Sequence, residues 1–118
     1  MKSDNIIQVK SYNFAVKIVE LYKFLVSEKK EYILSKQLLR CGTSVGANVE
    51  EAIGAQSKKD FIAKLSISYK EAREAHFWLR LLFDSSYISE AQKKEYLYLI
   101  DEILKIIGSI IKTSKSKY

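Results

Sequence analysis

The sequence predicts an all-α protein, an antiparallel up-down-up-down four-helix bundle, and three observations predict it. The 118 residues contain no proline and only four glycines, so the chain lacks the turn residues that a sandwich or barrel needs about every 8 to 12 residues. Apolar residues make up 47% of it, too many for a disordered chain, while no uncharged apolar run nears the roughly 20 residues that span a bilayer. Those apolar residues recur at spacings of three and four in four segments separated by short polar stretches. A domain takes about 100 to 200 residues, so residues 1–118 read as one domain.

The first segment, 11–27, carries Phe14, Ile18, Leu21, Tyr22 and Leu25 at helical spacing, with Ala15, Val19 and Val26 widening the stripe. The charged run Glu28 to Glu31 interrupts it, and Ser35 supplies an N-cap for a second helix over 36–55. Its apolar line is Leu38, Val45, Val49 and Ala52. Ser57, with Asp60 three residues on, caps a third helix over 58–84, built on Ile62, Leu65, Tyr69, Ala72, His76, Leu79 and Phe83 and ended by Asp84-Ser85-Ser86. Ser89 with Gln92 is a capping box for a fourth, 90–113. Short connections make consecutive helices antiparallel neighbours, and about 1.5 Å per residue gives a rod roughly 30 to 40 Å long.

The fourth helix is apolar around more than one stripe. Tyr96, Ile100, Ile103, Ile107 and Ile110 form one line, while Leu97, Leu99, Leu104, Ile106 and Ile111 continue around the cylinder. A bundle helix needs a stripe of about 100° or somewhat more. Either the five additional residues face another copy of the chain, or the helix contacts two neighbours within the bundle. The tail from Lys112, with Lys115 and Lys117, reads as a frayed, solvated end.

Charge adds a hint. Lys and Arg number 20 and Asp and Glu 14, for a net +6, and all but three of the basic residues are lysines spread over both halves. Such an excess permits an acidic partner without specifying one. One cysteine, Cys41, allows no internal disulfide, and no secretory leader opens the chain. Both features predict a cytoplasmic protein.

The second helix breaks the pattern informatively. Arg40, Ser44, Asn48 and Glu51, spaced by four, four and three, form a polar stripe beside the apolar line, among the small residues Cys41, Gly42, Gly46 and Ala47. Small residues let another backbone approach closely. On the third helix Glu71, Glu74 and Trp78 share a face, extended by Ile67. An arginine opposite two glutamates forms a charge-assisted cluster, with Ser44 and Asn48 filling further donor and acceptor sites. The alternatives are a solvated helix face and a catalytic carboxylate pair, but no nucleophile, metal-ligand set or phosphate loop accompanies the carboxylates. His76 lies on the apolar line and reads as a packed side chain, and Cys41 as a packing residue. Gly42 and Gly46 spell G-x-x-x-G, but Arg40 and Glu50 flank them and set aside a membrane reading. No metal site, cofactor site or catalytic residue is predicted.

The stretch from Gln37 to Ala52, QLLRCGTSVGANVEEA, resembles the signature of the four-helix bundle proteins named for a protein encoded in the intervening sequence of bacterial 23S rRNA genes. Residues 57–62, SKKDFI, and 70–82, KEAREAHFWLRLL, are similar to that family's third helix, and Phe14-Ala15 and Leu21-Tyr22-Lys23 fit its first. The resemblance implies a ring-like homopentamer with a central channel. The family includes the accessory protein of diversity-generating retroelements, which binds nucleic acid and a reverse transcriptase. By position, Arg40, Ser44, Asn48, Glu51, Glu71 and Glu74 match the family's recurrent polar residues, read as structural.

Two functions follow as expectations for this non-enzymatic chain. The first is a homo-oligomeric nucleic-acid-binding or ribonucleoprotein accessory protein, whose Lys17, Lys23, Lys29, Lys30, Lys58, Lys59, Lys93 and Lys94 contact RNA or DNA phosphates without reading sequence. The second is a scaffold whose isoleucine-rich fourth helix binds itself or a polymerase such as a reverse transcriptase. Neither involves a membrane.

Overall fold

The computed structural model describes residues 2–116, which form α1 (Lys2–Ser27), α2 (Leu34–Ile53), α3 (Lys58–Asp84) and α4 (Glu90–Ser116), with no strand among the described residues. Each apolar line of the sequence becomes the inner face of one helix. Phe14, Ile18, Leu21 and Leu25 from α1 meet Leu38, Val45, Val49 and Ala52 from α2, and Leu65, Ala72, Leu79 and Leu82 from α3 meet Ile100, Ile103 and Ile107 from α4 in one core. Neighbours in space are α1 and α2, α2 and α3, α3 and α4, and α4 and α1. Every pair runs antiparallel: Gln8 reaches Glu50 while Ile18 faces Gly42, Lys64 reaches Glu51 while Arg40 reaches Glu74, and Lys10 reaches Glu102 while Lys17 reaches Glu95.

The molecule is longer than the apolar segments alone predict, 48 × 21 × 20 Å. α1 begins nine residues before the expected Ser11, because Ser11 is no boundary. It is a buried residue, 1% exposed, whose hydroxyl donates to the Gln8 carbonyl at 3.2 Å. Its small side chain lets α2 come close. A Cβ at Gly46 would stand 3.1 Å from the Ser11 carbonyl oxygen, and one at Gly42 2.9 Å from Ile18 Cγ1. The small residues of α2 are therefore the seat of α1. At the other terminus α4 stays helical through Lys112 and Lys115, which corrects the expected frayed tail; Lys117 lies outside the described residues.

Helix starts follow three different chemistries. Ser89 and Gln92 complete the predicted capping box, with Ser89 N donating to Gln92 Oε1 at 2.8 Å and Gln92 N to Ser89 Oγ at 3.1 Å. Ser57 Oγ accepts from Asp60 N at 3.0 Å. Ser35 is not the cap of α2. The helix starts at Leu34, two residues earlier than expected, and the Glu31 carboxylate does the capping, accepting from the backbone N–H of Ile33, Leu34 and Ser35 at 3.0, 2.8 and 2.6 Å. Ser35 Oγ instead donates to the Glu31 carbonyl. One carboxylate thus satisfies three of the donors a helix start leaves open, which no single serine can do. Burial alone would raise the Glu31 pKa, yet the backbone donors outweigh it and hold the carboxyl below its usual range.

The wide apolar surface of α4 is taken up inside the bundle. Leu97, Leu99, Leu104, Ile106 and Ile111 are half-buried, packed against the core rather than bare. An exposed apolar row appears on α1 instead, at Ile6, Val9, Tyr12, Val16 and Val19. Val19, expected to widen the core stripe, belongs to this outer row.

Two measurements check the packing and the cap. In denaturant unfolding, Gly42→Ala is expected to destabilise by about 1–3 kcal/mol despite alanine's better helix propensity, because the core Ile18 must move. Gly108→Ala, whose Cβ would meet only Tyr69 Cε1 at 3.5 Å, is expected to stabilise by about 0.5–1 kcal/mol. Glu31→Ala should cost about 1–2 kcal/mol at neutral pH. Because the folded pKa of Glu31 is depressed, that contribution is fully present above the unfolded value of about 4.3 and fades as pH falls through the folded pKa. The stability gap between wild type and Glu31→Ala should therefore close in acid, and a gap that persists there would refute the charged cap.

Candidate functional site

The face shared by α2 and α3 carries the polar stripe read from the sequence, and only part of it assembles. Arg40 Nη1 lies 3.2 Å from Glu71 Oε1, and Arg40 Nη2 donates to Glu74 Oε2 at 2.5 Å. Trp78 Nε1 donates to the same Glu74 oxygen at 3.0 Å. The Trp78 bond and then the arginine hold the Glu74 carboxyl below the usual range, and the bond to Glu74 raises the Arg40 pKa. Ser44 and Asn48 do not join this clamp: Asn48 Nδ2 donates to the Ser44 carbonyl and hydroxyl at 2.9 and 3.1 Å. Glu51 pairs with Lys64 at 3.0 Å, a turn and more away. Beneath them Ser68 Oγ donates to the Val45 carbonyl at 2.8 Å, tying α3 to α2 within the core.

The clamp is wet. The Arg40 side chain is 52% exposed and those of Glu71 and Glu74 20% and 36%, so the charge-assisted cluster expected from the sequence forms at a solvated surface.

The eight lysines expected to bind phosphates do not form one patch. Antiparallel packing puts Lys23, Lys29, Lys30, Lys93 and Lys94 toward the end where α1 and α3 finish, and Lys58 and Lys59 at the opposite end, about 40 Å away along α3. Several are engaged: Lys17 pairs with Glu95 and lies 5.8 Å from the Tyr96 ring, Lys94 lies 3.5 Å from Glu90, and Lys29 and Lys93 sit over Phe24 and Phe83 at 5.9 and 4.3 Å. The hydrogen bond to Glu95 raises the Lys17 pKa. Lys30 occupies the left-handed region at φ 54 in the α1–α2 connection.

His76 departs from the packed role expected of it. Arg80 Nε donates to its Nδ1 at 3.0 Å, and its Nε2 stands 3.2 Å from Asp101 Oδ1, across the seam between α3 and α4. Arg73, Arg80 and the exposed Phe77 stand around this pair and line a groove of about 490 Å³ with Tyr69 and Leu104. Sequence reading passed over Arg73 and Arg80 because it sought lysine density; their spacing of seven on one helix face, with Phe77 between, was the available signal. Cys41 is fully buried, and desolvation pushes its thiol up to about 12, which makes it a packing group at neutral pH. No group of three or more metal-ligating side chains occurs among the described residues, and no described helix is long and apolar enough to cross a membrane.

An all-helical antiparallel bundle whose second helix is notched by glycines, and whose outer face carries an arginine clasped by two glutamates, defines a class of small four-helix bundle proteins. The chain belongs to the 23S rRNA-intervening sequence protein family, whose model matches residues 3–109. Among solved structures it is similar to a protein of unknown function of the S23 ribosomal protein family from Bacteroides thetaiotaomicron, with 53% identity, a TM-score of 0.92, and coverage of 93% of this chain and 98% of that one. No curated protein matches it.

Because the clamp is half exposed, Arg40→Ala should cost the isolated protomer only about 1 kcal/mol in chemical denaturation. A loss of about 3 kcal/mol or more would mean that the surviving glutamates are left desolvated, and would overturn the solvated reading of this face.

Proposed function

We propose that this chain is a non-enzymatic, homo-oligomeric accessory protein that binds nucleic acid through phosphate contacts. The observation that carries the reading is how its charges are apportioned. Half of the 14 carboxylates are consumed locally: Glu31 caps α2, Glu71 and Glu74 hold Arg40, and Glu51, Glu90, Glu95 and Glu102 pair with Lys64, Lys94, Lys17 and Lys10. Lys23, Lys30, Lys36, Lys59, Lys70 and Arg73 are exposed and have no hydrogen-bond or ion-pair partner among the described residues. The net +6 is thus presented outward as uncompensated cations, the footprint of a phosphate-binding surface.

Assembly multiplies that charge. The apolar row on α1 is uncharged from Ile6 to Val19 along one face, and a second copy of the chain is the occupant we assign to it. In a pentamer, the assembly expected from the family resemblance, five chains would carry about +30 before counterions. A polymerase such as a reverse transcriptase is the further partner this reading admits.

A gel-shift series with RNA and with DNA is expected to give retention at low ionic strength that falls steeply as salt rises, linear in the logarithm of salt. Native mass spectrometry of the same sample should give an oligomer, and Val16→Lys should dissociate it while leaving the helical content unchanged. Absence of retention at low salt would overturn the nucleic-acid reading, and a monomer at micromolar concentration the assembly.

A further inference from the structure

α3 divides its charge between two sides. Toward α2 it presents Glu71 and Glu74, both held by Arg40. On the solvent side, positions 59, 63, 66, 70, 73, 77 and 80 follow one another by fours and threes, so they form a single line down the helix. That line reads Lys59, Ala63, Ser66, Lys70, Arg73, Phe77 and Arg80, with no carboxylate between its ends. It runs for about 32 Å at 1.5 Å per residue. Two of the three arginines in the chain stand on it.

Phe77 is the unusual member. A phenylalanine 47% exposed in the middle of a long helix needs a reason, and its setting is fixed. Its ring meets that of Trp78 edge-on, with centroids 5.0 Å apart at 74°, and the Arg80 guanidinium carbon lies 6.0 Å from its centroid. Arg80 is itself held, through Nε, by His76. Arg73 has no partner among the described residues. Beside them runs the open groove between α3 and α4. Two carboxylates also line it, and both are engaged: Glu74 by Arg40 and Trp78, Asp101 by His76.

We infer that the outer line of α3 is a track for single-stranded nucleic acid, in which Arg73 and Arg80, flanked by Lys59 and Lys70, contact phosphates and Phe77 stacks a base at the α3–α4 groove. Cations tracking the backbone together with an exposed aromatic ring form the standard means of holding unpaired strands, since every base has a face to stack. In a duplex the base faces are already stacked on one another, and the ring would have nothing to meet. The inference rests on the nucleic-acid reading above and goes further by naming the strand type and the residues.

The test is fluorescence anisotropy of the full chain with a labelled short oligouridylate, an abasic strand of the same length and a duplex, each across a salt series. Wild type should bind the oligouridylate more tightly than the other two. Phe77→Ala should weaken oligouridylate binding by about 5- to 100-fold and leave the abasic strand and the salt slope unchanged. Arg73→Ala and Arg80→Ala should each weaken both single strands and reduce the slope by about 0.7. The control Lys105→Ala, an exposed lysine of α4 outside the line, should change little. Thermal melts confirm that each variant folds, as expected for exposed side chains. Binding by wild type that Arg73→Ala, Arg80→Ala and Phe77→Ala leave unaltered would overturn the track while sparing the nucleic-acid reading. A preference for duplex would overturn it equally, and no binding by wild type at low salt would defeat both.

Discussion

The close approach of α1 to α2 at two glycines is the constraint from which the rest of the bundle follows. Glycine inside a helix costs up to about 1 kcal/mol against alanine, and α2 carries two, four residues apart, on the side where Ile18 and the Ser11 carbonyl lie. Seating α1 this deeply in α2 limits what it shares with α4. The α1–α4 seam is held by two ion pairs and by the Tyr96 hydroxyl, which donates to the Lys17 carbonyl at 2.8 Å, and it leaves a groove of about 140 Å³ lined by Asn13, Phe14 and Leu99. α1 therefore keeps one face in the core and a second apolar face outside, where Val9, Tyr12 and Val16 stand open.

Polar groups drawn into this packing are all answered. Ser11, Ser35, Ser68 and Glu31 are buried, and each has its hydrogen bonds; no buried side-chain nitrogen or oxygen among the described residues lacks one. An unanswered group would cost about 1–3 kcal/mol, so each buried serine donates to a backbone carbonyl, and a bond made across a helix seam fixes register as well. Ser68 on Val45 does this between α2 and α3, where the Arg40 clamp sits one layer further out.

The four helices, their order and their core lines were legible because a proline-free chain with clean three-four spacing has few other ways to bury its leucines and isoleucines. What was not legible was decided by tertiary context. Ser11 and Ser35 look like boundaries by composition, yet one is a buried spacer against Gly46 and the other a donor to the carbonyl of the true cap residue. Glu31 was concealed within a charged run, since spacing alone does not reveal that a carboxylate folds back onto three amides. The lysines are a different case. Their number was visible, but antiparallel packing sends those near residue 30 and those near residue 58 to opposite ends, and a linear chain does not display that division. The Arg40–Glu71–Glu74 contact was readable from spacing; its exposure was not, because exposure depends on what the neighbouring helices leave uncovered.

That clamp also bears on the charge of the whole α3 surface. Glu71 and Glu74 are the only acidic residues in the middle of the helix between Asp60 and Asp84, and Glu74, four residues from Lys70 and three from Phe77, is a near neighbour of the outer line on the helix surface, so without Arg40 across the seam its field would reach that line. By supplying a cation from α2, and an indole N–H from Trp78, the fold offsets the charge of the Glu74 carboxylate. His76 holds the neighbouring Asp101 on the other flank. Arg73 and Arg80 are then left facing solvent without a carboxylate to satisfy them. A structural cluster and a row of unpaired cations are thus carried by one helix, and the first offsets the charge that would otherwise oppose the second.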